Sequence, residues 1–195
     1  MSIDFPGRTG DCEEFIMLLE TERLWLRDFV EEDWEAVYAY QVNPHYSRYY
    51  NWTHRTEDEV KLYIQDNIAR QTTEPRRDFE LALLAKETDR VFGSCHLRIS
   101  DNDRREASIG YELDPQEWGK GYATEASRRL LSLGFEELGI HRIWSQVIAE
   151  NLRSGRVLVR LGMRLEGRLR ETEFIRDHWC DTLLYAILDR EWKAQ

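Results

Sequence analysis

The chain has 195 residues, of which 42% are hydrophobic and 33% are charged, and its formal net charge is −10. This composition predicts one folded, soluble domain with a substantial core and excludes a disordered chain. No apolar run approaches the roughly 20 residues of a membrane-spanning helix, and the N-terminus lacks the basic-then-apolar pattern of a secretory signal. We therefore expect a cytoplasmic protein without membrane contact.

Cysteine usage and charge exclude further classes. The three cysteines, at positions 12, 95 and 180, are odd in number and far apart, which favours reduced thiols. Neither they nor the five histidines show zinc-ligand spacing, so no metal is expected. Residues 1–35 hold 3 Arg and 11 acidic residues. Such an acidic patch disfavours nucleic acid and suits a cationic partner, or it serves solubility alone.

The first half of the chain predicts a strand and two helices. Residues 1–18 are interpreted as an extension, with a short helix as one option over 12–19, before a single domain at 19–195. Alternation over 22–29 predicts a strand. Acidic residues followed by helical spacing predict a helix over 31–42, and a Thr-x-x-Glu capping box opens a second over 56–68.

The second half predicts the rest of a sheet. Three apolar runs, at 78–86, 90–100 and 106–113, are separated by turn residues and predict an antiparallel meander. A helix over 120–138, ended by Gly139, carries one apolar stripe. A strand at 141–148, a helix at 151–161 and strands at 163–176 and 180–188 follow. This order predicts an α+β fold: one mixed sheet with helices on its faces.

The stretch DPQEWGKGYATEA, residues 114–126, places Gly119 and Gly121 one residue apart at the start of a helix. Glycine lets a ligand approach the backbone closely, and the unpaired N–H groups of a first helical turn favour an anion such as a pyrophosphate. The P-loop pattern is missing, and Thr124 stands where a Rossmann fingerprint has its third glycine. A tight turn without a ligand is the alternative.

Residues 109–126, IGYELDPQEWGKGYATEA, resemble motif A of the GNAT N-acetyltransferases. The family pattern [Gln/Arg]-x-x-Gly-x-[Gly/Ala] is matched by Gln116, Gly119 and Gly121. Residues 141–167 resemble motif B of that family. The tail over 171–188 resembles the RimJ/RimL-like branch, which acetylates the N-terminal amine of ribosomal proteins. The resemblance extends from Leu19 onward and implies a mostly antiparallel mixed sheet whose central strands splay apart.

The resemblance implies acetyl-CoA as co-substrate and names the residues that would bind it. The strand that ends at Leu113 and the strand 142–148 would splay and expose an edge for the pantetheine, which Asn151 would also bond. An amide near Leu113 would stabilise the oxyanion. Arg153, Arg156, Arg160 or Lys120 would meet the 3′-phosphate, unless these cations form a solvated face. The pyrophosphate would lie on the backbone around Gln116, Trp118, Gly119, Lys120, Gly121, Tyr122 and Ala123.

For catalysis, the resemblance implies Glu173 as general base through a water and Ser154 as the group near the leaving thiolate. Many GNAT enzymes carry a tyrosine acid in the helix after Asn151, and the stretch RVLVRLG, residues 156–162, lacks it. Glu112 is the second candidate base. The ordinary alternatives are a helix-start serine bonding backbone and an exposed strand charge.

The acceptor is less constrained than the acetyl donor. The tail implies a protein N-terminal α-amine. A small amine, such as a polyamine, aminoglycoside or amino acid, is the alternative, and a non-catalytic acyl-CoA sensor is the alternative of another class. Aromatic residues crowd positions 45–52, where Tyr46, Tyr49, Tyr50 and Trp52 would line the acceptor cleft or form a packed lid. Relatives are monomers or homodimers, and we expect one of these states.

Overall fold

The structure is a computed structural model that describes residues 17–51, 55–100 and 105–194. The described residues form one sheet of eight strands: β1 Leu18–Glu20, β2 Leu24–Asp28, β3 Asp78–Ala85, β4 Val91–Ile99, β5 Glu106–Leu113, β6 Arg142–Ile148, β7 Arg164–Ile175 and β8 His178–Leu188. The strand order is β1-β2-β3-β4-β5-β6-β8-β7. Every neighbouring pair is antiparallel except β5 and β6, which are parallel. The predicted mixed, mostly antiparallel sheet is confirmed.

Helices cover both faces of this sheet. They are α1 Trp34–Gln41, α2 Glu57–Gln71, α3 Tyr122–Ser132, α4 Leu152–Arg160 and a final turn, α5 Asp189–Trp192. Alternate residues of β3 join different cores: Leu81 and Leu83 pack with α3 and α4, whereas Ala82 and Leu84 pack with α1 and α2. Because strand side chains alternate between faces, the two cores lie on opposite sides of the sheet.

The capping box predicted for α2 is present. The Glu59 N–H donates to Thr56 Oγ1 at 3.3 Å, and the Thr56 N–H donates to Glu59 Oε2 at 2.7 Å. We expect Thr56→Ala to lower the free energy of unfolding by about 1 kcal/mol, because the helix loses an N-cap. Urea denaturation measures it. Thr72→Ala, at the other end of the same helix, is the control and should lower the free energy of unfolding by less. Equal decreases for the two variants would contradict the role of Thr56 as N-cap.

Some predicted boundaries are wrong. Leu18 and Leu19 belong to strand β1, not to a helix, because they pair with Arg27 and Leu26 of β2; the earlier part of that segment lies outside the described residues. The helix expected from residue 120 starts at Tyr122.

The start is set by Gly121, the N-cap, whose φ of 89° lies in the left-handed region. The far end also differs, since Leu133–Glu137 forms a π-helical turn in which the Leu138 N–H donates to Leu133 O.

The N-terminal acidic residues do not all form a free patch. Asp28 is buried and lies 2.5 Å from a guanidinium nitrogen of Arg76, which comes from the segment before β3. Asp33 is also buried and receives two hydrogen bonds from Arg27. These acids hold β2 to its neighbours, so the local negative charge is smaller than the sequence count implies.

The parallel pair opens soon after it forms. Its register runs only from Glu106 opposite Arg142 to Ser108 opposite Trp144. β5 continues to Leu113, still paired with β4, while β6 continues to Ile148, still paired with β8. Each strand therefore follows its own outer neighbour, and a V-shaped gap separates their ends. The splayed central strands implied by the resemblance are confirmed.

Candidate active site

The backbone of β5 presents polar groups to this gap. The Asp114 N–H donates to Phe92 O on β4, and the β4–β5 register is unbroken, so bonding to β4 alternates along the strand. The amides of Tyr111 and Leu113 therefore point away from β4 and into the gap, beyond the last pair with β6. The Leu113 carbonyl accepts a hydrogen bond from Trp118 Nε1 at 3.0 Å. The Leu113 amide is thus placed to donate to a ligand oxygen.

The turn after β5 is held by its own hydrogen bonds. Asp114 Oδ1 accepts from the Gln116 N–H at 3.0 Å, and Asp114 Oδ2 lies 3.1 Å from Arg90. The Glu117 N–H donates to Asp114 O. The Gln116 amide is consequently occupied inside the turn, which moves the expected anion contacts from the start of the motif to its later residues.

The start of α3 offers the unoccupied amides. Gly119 has a φ of 82°, and a Cβ added to it would meet nothing within 4 Å, so its outer side is open. The Glu125 N–H donates to Gly121 O and makes the first bond of the helix. The N–H groups of Tyr122 and Ala123 precede it and have no hydrogen-bond acceptor among the described residues. Gly119 and Gly121, which precede this positive helix end, are exposed, and this arrangement favours an anion.

Arg23 supports this turn and was missed by sequence reasoning. Its Nη1 donates to Lys120 O at 3.0 Å, and its guanidinium lies 4.6 Å from the centre of the Tyr122 ring and bonds Glu125. Ninety-seven positions separate Arg23 from Lys120, so no local pattern connects them. Lys120 itself is exposed, with Nζ 2.7 Å from Glu117.

α4 begins at the mouth of the gap. Asn151 is its N-cap, and Asn151 Oδ1 accepts from the Ser154 N–H at 3.2 Å. Among the residues that the structure describes, Asn151 Nδ2 has no hydrogen-bond partner. The side-chain carbonyl thus serves the helix while the amide group is available to a ligand.

The arginines of α4 divide between two places. The Arg153 guanidinium lies 5.7 Å from the centre of the Trp118 ring, next to the glycine turn. Arg156 and Arg160 instead line a groove beside α4, with Leu183 and Tyr185 of β8. Only Arg153, of these three, stands beside the turn, so it is the better placed to meet a phosphate there.

The two candidate bases lie on the same face of the sheet but differ in surroundings. Glu173, on β7 opposite Cys180, is exposed, and its carboxylate has no hydrogen-bond or ion-pair partner among the described residues. Glu112, on β5, receives hydrogen bonds from Tyr40, Tyr46 and Gln41. Glu173 is therefore open to a water or an amine, whereas Glu112 is enclosed by its three donors.

The pKa of Glu112 is raised above its ordinary value, chiefly because burial disfavours the charged form. Such a group stabilises the fold most at low pH and loses that contribution as pH rises through its unfolded and folded pKa values. We therefore expect the stability of Glu112→Gln, relative to the unmodified protein, to increase as the pH rises above about 4. Urea denaturation at several pH values measures this difference, and a pH-independent difference would contradict the raised pKa.

The aromatic residues before α2 pack over the Glu112 side of the sheet. The ring of Tyr46 stacks on that of Tyr50, with 5.3 Å between the ring centres, and its centre lies 5.4 Å from that of the Tyr40 ring. All three residues belong to the core beneath α1 and α2. The Tyr49 hydroxyl donates to Glu150 O, two residues after β6. Trp52 lies outside the described residues. The packed arrangement is therefore present, and it forms one wall beside the gap.

No helix among the described residues is long and apolar enough to cross a membrane. In the same part of the chain, no three His, Cys, Asp or Glu side chains are grouped as metal ligands.

The sheet opens between β5 and β6, beside the start of α3 that follows Gly119 and Gly121. This arrangement is the fold of an acetyltransferase. The chain matches the family model described as "Acetyltransferase (GNAT) domain" over residues 23–164. It is 33% identical to "Uncharacterized N-acetyltransferase p20" of Bacillus licheniformis, over 89% of this chain and 97% of that protein. It is 26% identical to the ribosomal-protein-serine acetyltransferase of Escherichia coli K12, over 72% and 78% of the two chains.

Solved structures of acetyltransferases share this fold. A GNAT-family acetyltransferase from Bacillus anthracis superposes with a TM-score of 0.79 at 28% identity, over 89% of this chain and 99% of that one. RimL, a ribosomal L7/L12 α-N-protein acetyltransferase in complex with coenzyme A, gives a TM-score of 0.79 at 20% identity, over 88% and 98%. The chain belongs to the GNAT acetyltransferase family and is an N-acetyltransferase. The RimJ/RimL-like resemblance is confirmed.

Proposed function

We propose that this protein transfers an acetyl group from acetyl-CoA to a primary amine, with a protein N-terminal α-amine as the acceptor. The observation that carries the proposal is the gap between β5 and β6, flanked by unoccupied amides at the start of α3. A pantetheine arm fits an exposed strand edge, and a diphosphate fits a positive helix end. Support for a protein acceptor comes from the relatives named for ribosomal proteins. Such an acceptor would place the reaction in the cytoplasm.

In this proposal the residues around the gap divide the chemistry. The amine nitrogen attacks the thioester carbonyl carbon, and Glu173 takes its proton through a water. The Leu113 amide stabilises the oxyanion of the tetrahedral intermediate. The C–S bond then breaks, and the sulfur leaves as a thiolate beside Ser154. No covalent enzyme intermediate is needed, because the thioester is already activated.

An acceptor screen tests the function. The purified protein is incubated with acetyl-CoA and N-terminal peptides, polyamines, aminoglycosides or amino acids, and CoA release is followed together with the mass of each acceptor. We expect the highest kcat/KM for an N-terminal peptide. Preferred acetylation of a small amine would overturn the acceptor, and tight CoA binding without any acetylation would support the sensor alternative.

Asn151→Asp separates the two roles of Asn151. Aspartate is an equally good N-cap, so α4 keeps its stability, but the Nδ2 donor is lost. We expect the dissociation constant for acetyl-CoA to rise about tenfold, the effect of one hydrogen bond of roughly 1.4 kcal/mol. Calorimetric titration measures the affinity, and thermal unfolding checks that the helix is intact. Unchanged affinity would remove Asn151 from the pantetheine site.

A further inference from the structure

One buried hydroxyl in the opened part of the sheet makes no hydrogen bond to the described residues. Tyr111 lies on β5, three residues past the last pair with β6, and packs against the core shared by α3 and α4. Its hydroxyl oxygen is inaccessible to solvent and has no hydrogen-bond partner among the described residues. A buried hydroxyl without a partner costs free energy. A ligand that enters the gap can supply that partner.

The neighbour of this hydroxyl is the proposed thiolate site. Ser154, in the first turn of α4, lowers the pKa of Tyr111, while burial, the larger effect, raises it to about 12. The two hydroxyls are close enough to interact, yet they do not reach the distance and angle of a hydrogen bond.

We propose that the Tyr111 hydroxyl donates a hydrogen bond to the sulfur of the acetyl donor as the C–S bond breaks. This inference rests on the proposed function. It assigns to a strand residue the position left open by the helix after Asn151, since residues 156–162 contain no tyrosine.

The relative acidities of the two groups favour a hydrogen bond from Tyr111 to the sulfur over transfer of the Tyr111 proton. A thiol of ordinary pKa, about 8.5, is a stronger acid than a phenol with a pKa near 12. The leaving sulfur therefore takes the electron pair of the C–S bond and departs as a thiolate, while Tyr111 keeps its proton and stabilises the charge. The amine proton goes to Glu173 through water, and the thiolate gains a proton from solvent after release.

Tyr111→Phe removes the hydroxyl and keeps the ring. A hydrogen bond to a charged group corresponds to about a tenfold to 100-fold change, so kcat should fall by that factor while the KM for acetyl-CoA stays within about threefold. Tyr185→Phe is the matched control, because its hydroxyl faces α4 from β8, 3.5 Å from where a Cβ on Gly155 would stand. We expect this control to retain its turnover.

A second measurement needs no acceptor. The thiol of bound CoA is titrated by its ultraviolet thiolate absorbance in the unmodified protein and in Tyr111→Phe. We expect the bound thiol to ionise at a higher pH in the variant, because a donor to the thiolate is lost. If no amine is acetylated at all, the acetyl-transfer proposal fails while this titration still tests Tyr111. Equal titrations together with unchanged turnover overturn the role of Tyr111 and leave the proposed function standing.

Discussion

Glu173→Gln should lower kcat about 100-fold, the usual contribution of a positioned general base, while the affinity for acetyl-CoA stays within about threefold. Glutamine keeps the size of the side chain but does not accept a proton. The steady-state rate with the best acceptor, at saturating acetyl-CoA, measures the effect. Calorimetric titration with CoA checks that the donor site is intact.

Two further variants show whether a decrease in kcat reflects the loss of a general base. Glu171→Gln removes a charge from the same exposed strand and should leave kcat unchanged, so it controls for surface charge. Glu112→Gln perturbs the buried cluster with Tyr40 and Tyr46. If Glu112→Gln abolishes turnover and Glu173→Gln does not, the base is Glu112 and the proposed role of Glu173 is wrong.

Gly119→Trp should weaken CoA binding about 100-fold. The indole would occupy the open space above the glycine and keep a diphosphate from the amides of α3. Losing two hydrogen bonds to a charged group, at about 1.5 kcal/mol each, corresponds to that factor. Calorimetric or fluorescence titration with CoA measures the affinity.

Gly139→Trp is the matched control for backbone strain. Gly139 has a φ of 65°, and a Cβ there would also meet nothing within 4 Å. Both substitutions force an L residue into the left-handed region, at a cost of roughly 1–2 kcal/mol in stability. Only Gly119→Trp should weaken the binding of CoA. Normal CoA binding by the Gly119 variant would contradict the pyrophosphate site.

Much of the fold could be predicted because its cues are local. The capping box at Thr56 and Glu59 lies within one turn of helix, and the meander over 78–113 repeats apolar runs between turns. The glycine turn also combines neighbouring residues, which is why it pointed to an anion before any strand order was known. Boundaries were harder where one backbone angle decides them: Gly121 alone sets the start of α3.

The sequence determined the elements, the anion-binding turn and the two carboxylates to consider, because residue order and periodicity encode each of them. Tertiary structure decided how these parts combine. The hydroxyls that donate to Glu112 belong to residues 66 and 72 positions away. No local pattern therefore separates Glu112 from Glu173, whose carboxylate has no partner among the described residues. The same holds for Tyr111, whose hydroxyl lies close to Ser154 although the two residues belong to different elements, β5 and α4.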